Sequence, residues 1–426
     1  MKTEIIVIGA GVCGLTAACL LKRAGFRVEI VEARNRVGGR ILTLQNPLKG
    51  DPVELGAELV HGLPEETRRW LDPEKDLEAR EGDFLIFEGG QLTQSPAYFE
   101  QISGVMERLS QITQHDLSFQ DWLEQQTDYS AQLKDWVTGY IQGYHGADAS
   151  DISGAALREI ERESQEVDAV EGAQFFRGGQ SRLLDRLIRE LNQPILLNHV
   201  VKKVSWSQQG AEVSFTDSSI QPIQAKKILV TVPIGVLQAP SQSPGAIDFE
   251  PPLPSEFASA LSFFKMGTAL KMNFVFKSSP WSRDSKNSHF AMILDTTPGA
   301  YFRVWWRRGK NQIVGWQGGP STLLTLTQSE VQKNALEQLA RIFKTSEKEL
   351  ERELQGSYVF NWSDDPFSRG VYPYIRVGGL GATQTLARPI GNVLYFAGDA
   401  TCLGAYLGTI NGAMISATNA AQFIVR

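Results

Sequence analysis

The chain opens on an unbroken apolar run, Ile5-Ile6-Val7-Ile8, the pattern of a strand buried on both faces. Residues 15–23 are apolar on nearly every face and predict a buried helix, with Gly25 placed to end it. A second strand is predicted over 27–31 and closes at Glu32. Further on, Phe176-Arg177-Gly178-Gly179-Gln180-Ser181 reads as a turn and N-cap before an amphipathic helix reaching Leu191. Residues 195–215 and 225–232 read as strands, broken at Gln208-Gln209-Gly210 and Asp217-Ser218-Ser219. Residues 63–171 read as mostly helical and charged, with long polar loops, while 251–355 alternate strands with a helix over 326–343. The acidic residues Glu159, Glu161, Glu163, Glu166, Asp168 and Glu171 could draw polycations toward an entrance, but such a run is more often the solvated face of a helix. There is no internal repeat and no low-complexity segment.

Between the first strand and the first helix lies Gly9-Ala10-Gly11-Val12-Cys13-Gly14, a G-x-G-x-x-G. Gly9 permits the tight turn, Gly11 lets backbone approach a pyrophosphate, and Gly14 lets helix and strand pack closely. The helix N-terminus offers free N–H groups to phosphate. Glu32, at the end of the second strand, can accept hydrogen bonds from a ribose diol. With strand, helix, strand and acid all in place, the unit predicts a dinucleotide site. Of the 39 glycines, 18 fall in residues 1–62 and 370–426, so both ends of the chain call for close backbone approach.

Composition narrows the function. At 426 residues, two domains are expected. Lys plus Arg (42) against Asp plus Glu (48) leaves a net charge of −6 with no basic tract, which argues against a nucleic-acid partner. Cys13, Cys19 and Cys402 form no Cys-x-x-Cys pair, and His61, His115, His145, His199 and His289 are scattered, so neither a disulfide framework nor a metal site is expected. No apolar run reaches the length of a membrane span, and the first residues run straight into a strand pattern, so a soluble cytoplasmic protein is expected.

The second strand continues as Glu32-Ala33-Arg34-Asn35-Arg36-Val37-Gly38-Gly39-Arg40. This resembles the E-A-R-x-R-x-G-G-R signature of the flavin-dependent amine oxidases. Other blocks extend the likeness over nearly the whole chain. Glu54-Leu55-Gly56-Ala57-Glu58 looks like the family's E-L-G-A segment, and Thr231-Val232-Pro233-Ile234-Gly235-Val236-Leu237 its T-V-P-L-G-V-L. Trp362, Asp365, Pro366, Ser368, Gly370 and Tyr372 match its W-x-x-D-P-x-S-x-G-x-Y. Phe396-Ala397-Gly398-Asp399-Ala400-Thr401 matches its F-A-G-E-x-T, and Gly408-Thr409-Ile410 opens its closing helix.

The resemblance implies an α/β fold: a Rossmann-like FAD-binding domain from 1–62, 172–250 and 356–426, interleaved with an α+β substrate-binding domain from 63–171 and 251–355. It implies that Arg40, with Arg34 as a second candidate, meets the FAD pyrophosphate, while Arg36 can be a solvated loop residue. Gly39, Leu55, Gly56, Ala57, Glu58, Trp362, Gly398, Asp399, Thr409 and Ile410 join Gly9, Gly11, Gly14, Glu32 and Ala33 around the cofactor, and Val201 meets its adenine end. Monoamine oxidases carry a Cys nine residues after that Trp. Here the position is Val371, so FAD is expected to be non-covalent.

Lys271 lies in a strand-like apolar stretch with Met272, Phe274 and Phe276. By pattern alone it is either an edge-strand lysine or a functional one. The resemblance assigns it the lysine that holds a water at the flavin's reactive nitrogen, and leaves Lys265 outside the spacing. Tyr372 matches one of two tyrosines that flank the amine in monoamine oxidases; the second position is Thr409. His61 is either an ordinary loop histidine or a residue near the substrate nitrogen. Tyr372, Trp362, Trp305 and Trp306 are candidate cation–π or apolar walls, the tandem Trp being equally a core pattern. No Arg in 55–62 offers a carboxylate clamp. The expected function is therefore a polyamine oxidase acting on spermidine or spermine with O2. The alternatives are an L-amino acid or monoamine oxidase of the same family, a relative acting on non-amines, and a silent FAD-binding scaffold.

Overall fold

The computed structural model describes residues 3–45, 47–49, 51–111, 116–171, 173–283, 288–402 and 404–426, with side chains for all of these except 49, 164–171 and 283. His115 and Gly172 lie outside the described residues.

Strand Ile5–Ile8 sits inside a four-stranded parallel sheet in the order Val28–Val31, Ile5–Ile8, Lys227–Val230, Leu394–Phe396. Successive side chains of a strand point to opposite faces. Ile5 and Val7 accordingly pack with Leu15, Leu187 and Met414 of helices Val12–Arg23, Ser181–Leu191 and Ile410–Val425. Ile6 and Ile8 pack on the other face with Val204 and Val213. Those two belong to a second sheet, in the order Ile223–Ala225, Gly210–Phe215, Val201–Ser207, Asp248–Glu250. The expected strand over 195–200 is confined to one bridge, Val31 to Leu196, because Asn198 turns into the left-handed region.

The other large element is a seven-stranded sheet: Leu354–Val359, Ala269–Phe276, Gln312–Gly318, Val304–Arg308, Phe290–Asp295, Asp83–Glu88, Gln91–Thr93. Its inner face packs on helix Gln328–Ile342, whose start is fixed by a capping box between Thr327 and Glu330. Helices Pro96–Ser110 and Ala131–His145 form a further core around Phe119, Val137 and Ile141.

Two stretches differ from expectation. The mostly helical reading of 63–171 misses Asp83–Glu88 and Gln91–Thr93, where a short apolar run pairs with Phe290–Asp295. Leu354–Val359 pairs with Ala269–Phe276, so the sheet runs past the expected boundary at 355. Within the stretch 251–355, Phe257, Leu261, Phe264 and Met266 pack on the parallel-sheet core.

Candidate active site

Glycine geometry builds the first part of the site. The parallel strand ends at Gly9 (φ +106°), and Gly11 occupies the N-cap of helix Val12–Arg23 with no side-chain cap, so first-turn N–H groups remain for a ligand. A Cβ on Gly14 would sit 2.0 Å from the Gly9 carbonyl oxygen, whereas one on Gly11 would meet nothing within 4 Å. Gly14 is thus needed for packing and Gly11 for open space. Glu32 is buried and its two oxygens accept from the N–H groups of Ala10 (2.8 Å) and Arg34 (2.9 Å), tying the loop to the end of the second strand.

Arg36 is not a solvated residue. It donates to the carbonyls of Val37 (3.1 Å) and Gly39 (3.0 Å) and holds the paired-glycine turn. Arg34 donates to Asp365 (2.5 Å) and Ser368 (2.8 Å), and its Nε is buried without a protein acceptor. Arg40 donates to the Val371 carbonyl (2.7 Å) and to both oxygens of Asp399 (2.8 Å each). A guanidinium has five N–H donors, so two remain on Arg40.

The Leu55-Gly56-Ala57-Glu58 segment passes directly beneath: a Cβ on Gly56 would sit 1.8 Å from the Arg40 carbonyl oxygen. Trp362 donates from Nε1 to the Leu55 carbonyl (2.9 Å). Lys271 projects from strand Ala269–Phe276 into the same region and is central in its sheet, not at an edge. Its Nζ lies 2.5 Å from Glu58 Oε2 and donates to the Gly56 carbonyl (3.0 Å). Lys265 instead forms an exposed pair with Asp151.

One cavity of about 780 Å³ connects these residues. It is lined by Gly9, Gly11, Glu32, Ala33 and Arg34, by Gly39, Arg40 and Leu55 to Glu58, and by Val201, Lys271 and Trp362. Gly398, Asp399, Thr409 and Ile410 line it from the C-terminal block. Thr409 caps helix Ile410–Val425, accepting from the Gly412 N–H (3.0 Å) and donating to the Tyr406 carbonyl (2.8 Å), so a helix N-terminus faces the cavity. Gly14 alone of the expected cofactor residues is not on the wall; it acts through packing. The residues fit an elongated dinucleotide flavin. A Cβ on Gly11 or Gly398 would meet no protein atom, Arg34 carries an unused buried donor, and Arg40 keeps two.

Beyond Lys271 the cavity turns aromatic and acidic. The His61 ring meets Tyr144 edge-on at 5.9 Å, and Tyr144 stacks on Tyr140 at 5.7 Å. Tyr372 donates to the Tyr144 carbonyl (2.8 Å), and burial pushes its phenol above the usual range. Trp306 lines the cavity with its ring 5.8 Å from Lys271 Nζ, while Trp305 points to the opposite face and is core. Thr409 is a helix cap rather than a second aromatic wall.

The acidic run departs from its solvated reading at Glu161. This carboxylate is buried on the cavity wall, 3.1 Å from His145 Nε2 and 3.4 Å from the Tyr140 hydroxyl. Glu159 pairs with Arg158 and Arg162, and Glu163 accepts from the Ala405 N–H (3.2 Å). The side chains of Glu166, Asp168 and Glu171 lie outside the described residues. Helical spacing could have flagged Glu161, since it lies one turn from the buried Leu157. His199 was also missed; it lines the cavity with Nδ1 2.7 Å from the Leu197 carbonyl. Arg80 and Arg303 line the far end, Arg303 held by Asp135, a feature not visible in the 55–62 segment. Among the described residues no acidic, Cys and His cluster could hold a metal ion, and no helix is long and apolar enough to cross a membrane.

Comparison with known proteins agrees with this geometry. Residues 12–425 match the family of flavin containing amine oxidoreductases. Lysine-specific histone demethylase 1 homolog 3 of Arabidopsis thaliana is 26% identical over all of this chain but only 30% of its own length. Polyamine oxidase 4 of Oryza sativa subsp. japonica is 26% identical over 98% of this chain and 88% of its own. Wild-type putrescine oxidase bound to putrescine superimposes over the whole of both chains with a TM-score of 0.81 at 20% identity, which shows the fold. This chain spans only 30–58% of the length of the demethylases it matches. The family match across almost every residue places this chain among the flavin-containing amine oxidoreductases, with FAD as the cofactor.

Proposed function

We propose that this chain is an amine oxidase of the polyamine type, acting on spermidine- or spermine-like substrates with O2 as the electron acceptor. One observation carries the reading: a single cavity joins a buried lysine, Lys271, to a buried carboxylate, Glu161, across an aromatic wall. A polyamine needs these features together. One nitrogen must be neutral to lose hydride from its neighbouring carbon, while another stays cationic and is recognised by a carboxylate.

Bound FAD supplies the two-electron acceptor, with the electrons passing on to O2 to give hydrogen peroxide. The protein's residues orient the amine and exclude water. Tyr372, Trp306 and the stacked pair Tyr140 and Tyr144 form walls that disfavour a charged reacting nitrogen and suit a methylene chain. Glu161 takes the distal ammonium, with His145 and Tyr140 holding the carboxylate in place. His61 lines the same cavity with its ring edge-on to Tyr144, where it can meet a substrate nitrogen. Lys271 Nζ donates to the Gly56 carbonyl and pairs in charge with Glu58; an ammonium has three N–H groups, so donor capacity remains for a water. The amine loses a hydride and a proton to become an imine, and water then cleaves the imine to an aldehyde and a shorter amine.

We also propose that FAD is held non-covalently, that no nucleic acid or membrane is a partner, and that the protein works in the cytoplasm. The test is hydrogen peroxide release with spermine, spermidine, putrescine, a monoamine panel, basic L-amino acids and an N-methylated lysine peptide. Polyamines should turn over fastest. Faster turnover of an amino acid would point to Arg80 and Arg303 as a carboxylate clamp and overturn the substrate assignment. No turnover of any amine would favour a silent scaffold.

A further inference from the structure

We propose that Glu58 is the positioning residue for Lys271: their buried ion pair keeps the ammonium charged and holds Nζ at the cavity wall beside the Gly56 carbonyl. The inference rests on the amine-oxidase reading only for the use made of Lys271, not for the pair itself.

Both side chains are about 5% exposed, and Nζ to Oε2 is 2.5 Å. A lysine buried alone would shed its proton, because burial disfavours the charged form. An opposite charge within about 4–6 Å favours the charged form instead. Here Glu58 is that charge, and the Gly56 carbonyl at 3.0 Å is the hydrogen-bond acceptor that holds Nζ beside it. The Glu58 backbone is itself anchored, its carbonyl accepting from Gln180 Nε2 (3.1 Å).

Among the described residues Glu58 is the only carboxylate within ion-pair distance of Lys271. On one side Lys271 is met by Glu58 and by the field of Glu54. Burial pushes the Glu54 carboxyl up to about 6, and its oxygens are already engaged by the Gln180 N–H and the Thr43 hydroxyl. On the sheet side Lys271 faces Trp316 in register and the Trp306 ring at 5.8 Å, neither of which titrates. Among the described residues Glu58 is therefore the nearest counter-charge to Lys271.

The test uses holoenzyme and no amine substrate, so it stands whether or not the substrate assignment does. FAD is reduced anaerobically with dithionite, then mixed with O2, and reoxidation is followed from pH 6 to 9. The absorption band of oxidised FAD is titrated over the same range, and FAD content verifies folding. Wild type should be flat in both. Glu58→Gln should acquire a break, above which reoxidation falls roughly tenfold per pH unit as Lys271 loses its proton. Glu58→Asp should restore the flat profile. Lys271→Met should be slow at all pH values, and adding Glu58→Gln to it should change the rate by less than about twofold with no break, because the two residues act as one unit. The double variant removes both charges and so avoids an unpaired buried ion. A Glu58→Gln enzyme that matches wild type at every pH would overturn the proposal. So would a break that survives in the double variant, or effects that multiply.

Discussion

Arg40 and Asp399, 359 residues apart in sequence, meet fork to fork, each carboxylate oxygen 2.8 Å from a guanidinium nitrogen. This pair joins the first block of the chain to the last and fixes the guanidinium plane on the cavity wall. A lysine would keep the charge and lose the fork. Arg40→Lys should therefore weaken FAD binding by roughly tenfold or more, since a charge-assisted hydrogen bond contributes about 1.5–3 kcal/mol. Fluorescence titration of apoprotein with FAD measures it; an unchanged dissociation constant would remove Arg40 from the cofactor site.

Two glycines three residues apart, Gly11 and Gly14, should separate folding from binding. Gly14→Ala places a Cβ 2.0 Å from the Gly9 carbonyl oxygen and should destabilise the apoprotein by about 1–3 kcal/mol. Gly11→Ala meets no protein atom, so thermal unfolding of apoprotein should be nearly unchanged while FAD affinity drops. Equal affinity for FAD in Gly11→Ala would show that no ligand group approaches that position.

Glu161→Gln keeps the side-chain volume and removes the charge. We expect kcat/KM for spermidine to fall roughly tenfold or more, with a simple monoamine little affected. Parallel losses on both substrates would assign Glu161 to structure, through His145 and Tyr140, and not to recognition.

Glu54 makes a pH prediction. Burial raises its carboxyl from 4.5 to about 6 in the folded chain. The folded state then holds the proton more tightly than the unfolded one. Its stabilising contribution is complete below pH 4.5 and is lost as pH rises through 6, a change of about 2 kcal/mol. Glu54→Gln cannot ionise, so its melting temperature relative to wild type should climb between pH 5 and pH 7. A constant difference across that window would contradict the assignment.

Val371 lines the cavity with its carbonyl bound by Arg40, and its side chain offers no thiol to link to a flavin. Acid precipitation should leave the yellow colour in the supernatant. Colour in the pellet would mean a covalent link at some other residue.

Much of the cofactor side was legible because its determinants are local. Gly9, Gly11, Gly14 and Glu32 lie on one contiguous strand, helix and strand, where each glycine answers to a neighbour a few residues away. Trp305 and Trp306 could not be separated by composition, but the alternation of strand Val304–Arg308 sends one to the core and one to the cavity. The strand over 83–88 was missed because its partner, Phe290–Asp295, lies far along the chain.

By itself, the sequence determined the dinucleotide unit and Lys271 as a lysine in an apolar strand, since these follow from spacing and periodicity, while the arginine-bearing turn was marked by its resemblance to the family signature. Tertiary structure alone decided what those groups face. Lys271 meets Gly56 across 215 residues, and it is folding that brings Glu58 to its ammonium. The same packing turns Glu161 from a helix-face acid into a cavity carboxylate beside His145. A side chain's charge state and reach depend on burial and on partners distant in sequence, and those exist only once the sheets and helices have closed on one another.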